Sequence, residues 1–417
     1  MDLQDDGRIN WWLKDDDTQN FGDFLGYVIS KAIFTQPVRD HCSYRMLGSA
    51  IADWDINQDL ARADGEPDRT IGFWCCGVRT EAGVSDESRE RLAAYGVRGP
   101  LTRDVLGLPA DTPLGDPGLI APIVYTPTVR DDLRSKTICV PHFLDTCRDA
   151  DLLQRTGADL IVRPNIARTE RAVFDLIDAI ASASFVLAGS LHAAIVACAY
   201  DVPFGYLDTG FVDIPFKWRD FSALVGIGTS FCDRVADART IYEQVNRTRL
   251  RKPALLPMLA VAPFRVRLDI LLKAYHHDMQ HRDSASTHHG ELLNALLRQG
   301  DYSLLALAEA VRDPVAQADK QASIGAEPVE LPTHDDVGQP VGGTDAAMVK
   351  PERPEPAIAT DETGSEHLDP ASAHPDIPEA PPEAATLNAE AAAAGEPAMA
   401  PPSDAECGEA GSSTRDA

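Results

Sequence analysis

The residues best suited to chemistry lie in SFVLAGSLHAAIVACAYDVPF, residues 184–204. An apolar run stops at Gly189, Ser190 opens a helix-like stretch, and His192 falls in its first turn. Ser190 suits the N-cap, where its hydroxyl can accept from a free backbone N–H. A helix start presents unpaired N–H groups and the positive end of the helix dipole, so it favours an anion. An imidazole beside that anion can give or take a proton near neutral pH. A buried histidine satisfied by a backbone carbonyl accounts for the same spacing without any chemistry.

A second candidate is QNFGDFLG, which also follows a strand-like run and opens a helix. Gly22 permits close backbone approach, and Asn20 and Asp23 can contact sugar hydroxyls or, for Asp23, act as a base. Simple capping by Asp23 and a turn at Asn20–Gly22 explain the segment equally well. In GVRGPLTRD, Arg98 and Arg103 flank a Gly-Pro turn and a helix start. Guanidinium groups there suit carboxylate or phosphate, or else a surface ion pair with Asp104. Arg79 after CCG, Arg163 after DLIV and His142 in VPHF sit at the ends of strand-like runs as weaker candidates. No Cys/His cluster has metal-ligand spacing, and no GxxxxGK or early GxGxxG occurs. The histidines of AYHHDMQHRD read as one solvated helix face, so neither a metal nor a cofactor is expected.

The elements that must hold these residues alternate. The sequence predicts strands at RINWWL, TIGFWCCGV, KTICVPHF, ADLIVRPN, SFVLAG and VPFGYLD. It predicts helices at GDFLGYVISKAIF, SDESRERLAAYGV, LTRDVLGL, RDADLLQRTG, ERAVFDLIDAIASA and SLHAAIVACAYD, then one long helical stretch over 253–280 and another over 290–299. PLGDPGLIAP reads as a turn-rich connection. This βαβα rhythm in two rounds implies an α/β protein with two doubly wound parallel-sheet domains, 1–125 and 126–310, breaking near 122–136. Ligands of such sheets sit beyond the carboxyl ends of the strands. That rule selects the loops Asn20–Asp23, Gly77–Gly83, Pro141–Asp145 and Gly189–His192, facing one interdomain cleft.

The chain has 417 residues, 44% of them hydrophobic and 25% charged, as in a soluble globular protein. A formal net charge of −27 argues against nucleic acid or anionic membrane as the main partner. The eight cysteines include no CxxC pair and read as reduced packing residues of a cytoplasmic protein. MDLQDDGRINWWLKDDD has no apolar leader, and the apolar stretch 185–206 is interrupted by Ser190, His192, Asp201 and Pro203, so neither a signal peptide nor a membrane span is expected. From Arg312 to Ala417 the composition turns to Pro, Ala, Glu and Asp, which implies a disordered acidic tail, residues 311–417, serving as a tether or as a plain solvated extension.

Four pieces in order resemble the polysaccharide pyruvyltransferase family: NFGDFL, VRGPLTRDVLGLP, LGDPGLIAP and SFVLAGSLHAAIVACAYDVPF, over about residues 8 to 230. KWRDF after Pro215 resembles the succinoglycan and related exopolysaccharide ketal pyruvyltransferases. The resemblance implies two Rossmann-like domains in a GT-B-like arrangement. It implies phosphoenolpyruvate as co-substrate and a sugar, free or in a lipid-linked oligosaccharide, as acceptor. Pyruvate is then carried as a cyclic ketal on two sugar hydroxyls. His192 takes the place of the family histidine and acts as general acid. Asp23 is the expected base, and Arg98 and Arg103, with Arg163 or Arg79, clamp the donor. Many members carry arginine two residues before the histidine, where this chain has Ser190. A lipid-linked acceptor would bring the protein to the inner face of the cytoplasmic membrane as a peripheral protein. Two other readings share the cleft: a GT-B glycosyltransferase using a nucleotide sugar, and a non-catalytic sugar-binding homologue.

Overall fold

The computed structural model describes residues 7–13, 17–63, 69–281, 287–300 and 302; the expected acidic tail lies outside them. The described residues all fall within one compact unit, Met1–Pro340.

The strands are β1 (Ile9–Asn10), β2 (Thr18–Asn20), β3 (Phe34–Pro37), β4 (Ser43–Arg45), β5 (Ile71–Cys76), β6 (Leu92–Val97), β7 (Thr137–Val140), β8 (Leu160–Ile161), β9 (Asn165–Ala167), β10 (Phe185–Ala188), β11 (Phe204–Leu207), β12 (Phe231–Cys232) and β13 (Phe264–Val266). The helices are α1 (Phe21–Ile33), α2 (Asp53–Arg62), α3 (Asp86–Glu90), α4 (Pro100–Val105), α5 (Ala121–Val124), α6 (Asp149–Thr156), α7 (Glu170–Ser182), α8 (Leu191–Ala199), α9 (Pro215–Val225), α10 (Val235–Ile241), α11 (Arg247–Arg249), α12 (Leu255–Ala260), α13 (Leu268–Gln280) and α14 (Thr287–Gln299).

The fold is α/β, with two parallel sheets. One has the order β1-β4-β5-β6, the other β12-β11-β10-β7-β8. Their central strands are apolar runs because helices cover both faces of such sheets. Every residue of β5, β7 and β10 is buried. Two short antiparallel ribbons, β2 with β9 and β3 with β13, tie N-terminal segments to later ones. Helix α1 packs against α5, α7 and α8, elements far from it in sequence. The stretch 122–136 runs from α5 to β7.

Three expectations change. The predicted helix over 85–97 is helical only to Glu90; Leu92–Val97 becomes β6, paired in parallel with β5. Pairing with a fully buried strand outweighs the helix propensity of Leu and Ala. The long stretch 253–280 divides into α12, β13 and α13. Pro263 lacks an N–H and disfavours helix in the residue before it, so the chain extends there and pairs with β3. The single strand expected over 158–165 is two, β8 and β9, separated by a turn around Pro164. The Pro164 carbonyl accepts the Phe21 N–H at 2.8 Å, which ties this turn to the start of α1.

Candidate active site

A cavity of about 250 Å³ opens where the carboxyl ends of both sheets meet. Its lining comes from loops that leave consecutive strands. Trp11 and Trp12 follow β1, Met46–Ser49 follow β4, Arg79 follows β5 and Arg98 follows β6. From the second sheet come His142 after β7, Ser190–His192 after β10 and Asp213 after β11, and Asn20 and Asp23 enter from the β2–α1 junction. This is the placement expected of a ligand site in parallel α/β sheets.

Three helix starts border the cavity: Asn20 before α1, Ser190 before α8 and Ile214 before α9. None of these N-cap residues makes a side-chain capping hydrogen bond. The positive dipole ends of α1, α8 and α9 thus border the same space, while the Phe21 N–H is already taken by the Pro164 carbonyl, the Lys217 N–H by the Ile214 carbonyl, and α9 starts on Pro215, which has no N–H. Asn20 instead donates to Asp23 at 2.7 Å.

Helix α8 is apolar all round and packed on every side except at His192, its one residue that is not fully buried. Its imidazole lies against α1, and only Gly22 makes this possible. A Cβ at residue 22 would stand 2.1 Å from His192 Nδ1. On the other edge, Nε2 is 3.9 Å from Asp116 Oδ2, and both atoms are buried without a hydrogen-bond partner. Asp116 is fixed by its other oxygen, which accepts the Gly118 N–H at 2.9 Å.

Cations surround this pair. Arg98 is fully buried, donates to Ser49 at 2.9 Å and has Nε 3.4 Å from Asp220 Oδ2. Its Nε and Nη2 have no hydrogen-bond partner. Gly77 leaves room for the guanidinium, since a Cβ there would meet Nη2 at 2.2 Å. Arg45 also reaches the cavity, but its charge is already matched: it grips Asp59 through two hydrogen bonds of 2.8 and 2.7 Å and pairs with Asp55 at 3.2 Å. Lys217, on the first turn of α9, donates to Asp213. Asp213 also meets His142 Nε2 at 3.4 Å. Ile214 beside it holds a left-handed backbone, φ 47°, which costs a β-branched residue about 1–3 kcal/mol and so must be imposed by its surroundings. Trp12 and Trp54 stand exposed at the rim.

Burial sets the protonation states. It lifts the Asp23 carboxyl to about 6, against the opposing pull of the Asn20 hydrogen bond, Lys217 and Arg45. It lifts Asp116 to about 6 as well, with Arg98 opposing. Burial, then Lys217 and Arg98, push His192 down to about 3. At pH 7 the cavity therefore presents a neutral His192 imidazole, with the Asp23 and Asp116 carboxyls largely ionised. Burial works to raise Asp213, but hydrogen bonding from His142 and the ammonium of Lys217 hold it well below the usual carboxylate range.

Of the residues singled out in the sequence, Asn20, Asp23, Arg79, Arg98, His142, Ser190 and His192 line the cavity, and Gly22 backs His192. Arg103 and Arg163 do not line it. Arg103 pairs with Asp104 at 3.0 Å and donates to the Ala110 carbonyl. Arg163 pairs with Asp149 at 2.7 Å and donates to the Asp145 carbonyl, bracing the loop after β7. Both guanidiniums are spent on structure. Sequence reasoning missed Arg45, Asp116, Asp213 and Lys217. Arg45 ends a strand, as Arg98 nearly does, and Asp116 sits in the GDPG turn; those were the available signals.

Among the described residues no cluster of three His, Cys, Asp or Glu side chains is arranged to hold a metal ion, and no helix is long and apolar enough to cross a membrane. No family model matches the chain, and no curated protein matches it in sequence.

Proposed function

We propose that this cavity transfers pyruvate from phosphoenolpyruvate to a sugar, forming a pyruvate ketal on two hydroxyls and releasing phosphate. The observation that carries this reading is the convergence on one cavity of Arg98, three uncapped helix starts, His192 and Asp23. A buried guanidinium whose Nη2 lacks a hydrogen-bond partner and whose Nε meets only the Asp220 carboxylate at 3.4 Å has donors that an anion would satisfy. Phosphoenolpyruvate supplies a carboxylate and a phosphate together. The Trp12 and Trp54 faces at the rim suit the apolar C–H faces of sugar rings. On this reading the two parallel sheets form a GT-B-like pair across the cavity.

The chemistry needs one proton on the donor's methylene carbon and the removal of two hydroxyl protons. Bringing a trianion beside His192 offsets Lys217 and Arg98 and raises the imidazole pKa, since opposite charge favours the charged form. The imidazolium, with Asp116 behind it, then protonates C3 and leaves a cationic C2. The first sugar hydroxyl adds to C2, and Asp23 takes its proton. The second hydroxyl attacks C2 as the C2–O bond to phosphate breaks, and its proton leaves with the phosphate. One hydroxyl proton thus replaces the one placed on C3. The other departs as hydrogen phosphate, so atoms and charge balance.

The test is to incubate the full chain with phosphoenolpyruvate and an oligosaccharide or lipid-linked acceptor. Phosphate release that depends on the acceptor is expected, with a gain of a pyruvate ketal on the sugar. Phosphate release from phosphoenolpyruvate in no acceptor mixture, alongside binding of nucleotide diphosphates, would move the assignment to a glycosyltransferase. Binding of the acceptor without turnover would make the protein a sugar-binding homologue.

A further inference from the structure

Lys217 is a largely buried cavity cation whose partner, among the described residues, can be exchanged, whereas Arg79 is exposed at the cavity. Its side chain is 12% exposed and lines the cavity from the first turn of α9. Of its three N–H donors, one goes to Asp213. Arg45 is locked by Asp55 and Asp59, and Arg98 is held by Ser49 and Asp220. Lys217 differs in that Asp213 is itself on a loop at the cavity, 26% exposed, with a second neighbour in His142.

We propose that Lys217 is the residue that takes the donor's phosphate group, exchanging the Asp213 carboxylate for a phosphate oxygen when the donor enters. The carboxylate of Asp213 stands at the Lys217 ammonium where a phosphate oxygen of the donor would stand. An ammonium is a compact charge with rotatable donors that can reach a phosphate oxygen from any side, and with Lys217 on the phosphate the planar fork of Arg98 is left for the carboxylate, which it also fits. Lys217 stands in the first turn of α9, an 11-residue helix whose dipole adds to its charge, although Pro215 offers no N–H and the Lys217 N–H is taken by the Ile214 carbonyl. Asp213 is not left bare by the exchange, because His142 Nε2 stands 3.4 Å away. Lys217 also lies close enough to His192 to depress its protonation. Its neutralisation by phosphate therefore couples donor binding to the charge of the imidazole.

The inference rests on the cavity being a donor pocket, but its test does not require turnover. Binding of inorganic phosphate, pyruvate and phosphoenolpyruvate to the full chain is measured by calorimetry for wild type, Lys217→Met, Lys217→Arg and Asp213→Asn. Losing one charge-assisted hydrogen bond corresponds to about a 10- to 100-fold loss of affinity. That loss is expected for phosphate and phosphoenolpyruvate in Lys217→Met, with pyruvate changed less than about threefold and Lys217→Arg retaining phosphate. Asp213→Asn removes the competing carboxylate and is expected to bind phosphate more tightly than wild type. A merely structural ion pair predicts instead that both single changes weaken binding, or that neither does. Unchanged phosphate affinity in Lys217→Met, equal loss of pyruvate, or weaker phosphate binding in Asp213→Asn overturns the proposal, as does a wild type that binds no phosphate. Should Lys217→Met fail to fold, Asp213→Asn alone decides the sign. Phosphate binding through Lys217 without acceptor-dependent turnover would leave this inference standing and remove the pyruvyl-transfer reading.

Discussion

His192 and Gly22 are packed so closely that residue 22 has no space for a side chain: a Cβ there would lie 2.1 Å from Nδ1. Helix α1 thus fixes the imidazole of α8 from one side while Asp116 faces it from the other. Gly22→Ala is expected to force the ring out of place. Overpacking of this kind costs about 1–3 kcal/mol. Thermal denaturation should show that loss, and acceptor-dependent phosphate release should fall by more than the stability change explains. An active Gly22→Ala protein with unchanged melting would mean that the ring is free to move and is not held by α1.

Removal of the imidazole is the direct test of proton transfer. His192→Ala is expected to lose about 10²- to 10⁴-fold in kcat while keeping its fold, the usual range for general acid–base catalysis. In the wild type without ligand, the imidazole is expected to stay neutral down to about pH 3, because burial and the cations oppose the charge. Saturating phosphoenolpyruvate should raise that midpoint, observable in the ring proton shifts by NMR. A ring whose titration ignores the donor would not be next to it.

The pH dependence of kcat/KM reports the free protein. Asp23 must be ionised to accept a hydroxyl proton, and burial lifts it to about 6. Because His192 must be protonated as well and titrates near 3 in the free protein, kcat/KM is expected to be level between about 3 and 6 and to fall above about 6, whereas kcat, with the imidazole raised by the bound donor, is expected to rise with pH as Asp23 ionises. Asp116 titrates in the same range, so the limb belongs to the pair unless the variants separate them. Asp23→Asn should abolish turnover. Asp116→Asn should leave the acid limb in place and act through His192 instead. An acid limb that disappears in Asp116→Asn would transfer the base role to Asp116.

The loops that build the cavity were legible because parallel strands announce themselves. IGFWCC, TICV and FVLA are short apolar runs that end in glycine, proline or histidine, and each is fully buried. The residues after such runs are placed by topology, so Arg79, His142 and His192 could be named from the sequence, whereas Arg98 was named from the Gly-Pro turn and helix start that follow it, because Leu92–Val97, a strand in the fold, reads as helix. Lys217 could not. It reaches the cavity only because the loop after β11 turns through a left-handed Ile214, a conformation that nothing in the sequence announces. Arg163 failed for the opposite reason. It sits just past β8, yet Asp149 and the Asp145 carbonyl, both upstream in the chain, are folded against it and take its donors. The crossing of α1 onto α7 and α8 was likewise invisible, because the β2–β9 ribbon that directs it joins strands far apart in sequence.

Arg98 and Asp220 give the last test. Asp220 is fully buried and is held by the Thr102 N–H at 3.0 Å and the Thr102 hydroxyl at 2.6 Å, so α4 and α9 are joined at the point where Arg98 enters. Gly99 allows that approach, since a Cβ there would meet Asp220 at 2.3 Å. Asp220 therefore orients the guanidinium and offsets part of its burial. Arg98→Met should leave Asp220 with its Thr102 bonds but no cation, and the expected result is a folded protein whose KM for phosphoenolpyruvate rises about 10- to 100-fold. Asp220→Asn should cost more in stability, about 3 kcal/mol or more, because it strands a buried guanidinium. Added pyruvate should recover part of the Asp220→Asn melting temperature through binding of its carboxylate to Arg98. Equal stabilisation of wild type and Arg98→Met by pyruvate would show that the guanidinium never meets the carboxylate, and the donor pocket would have to be rebuilt around the other cations.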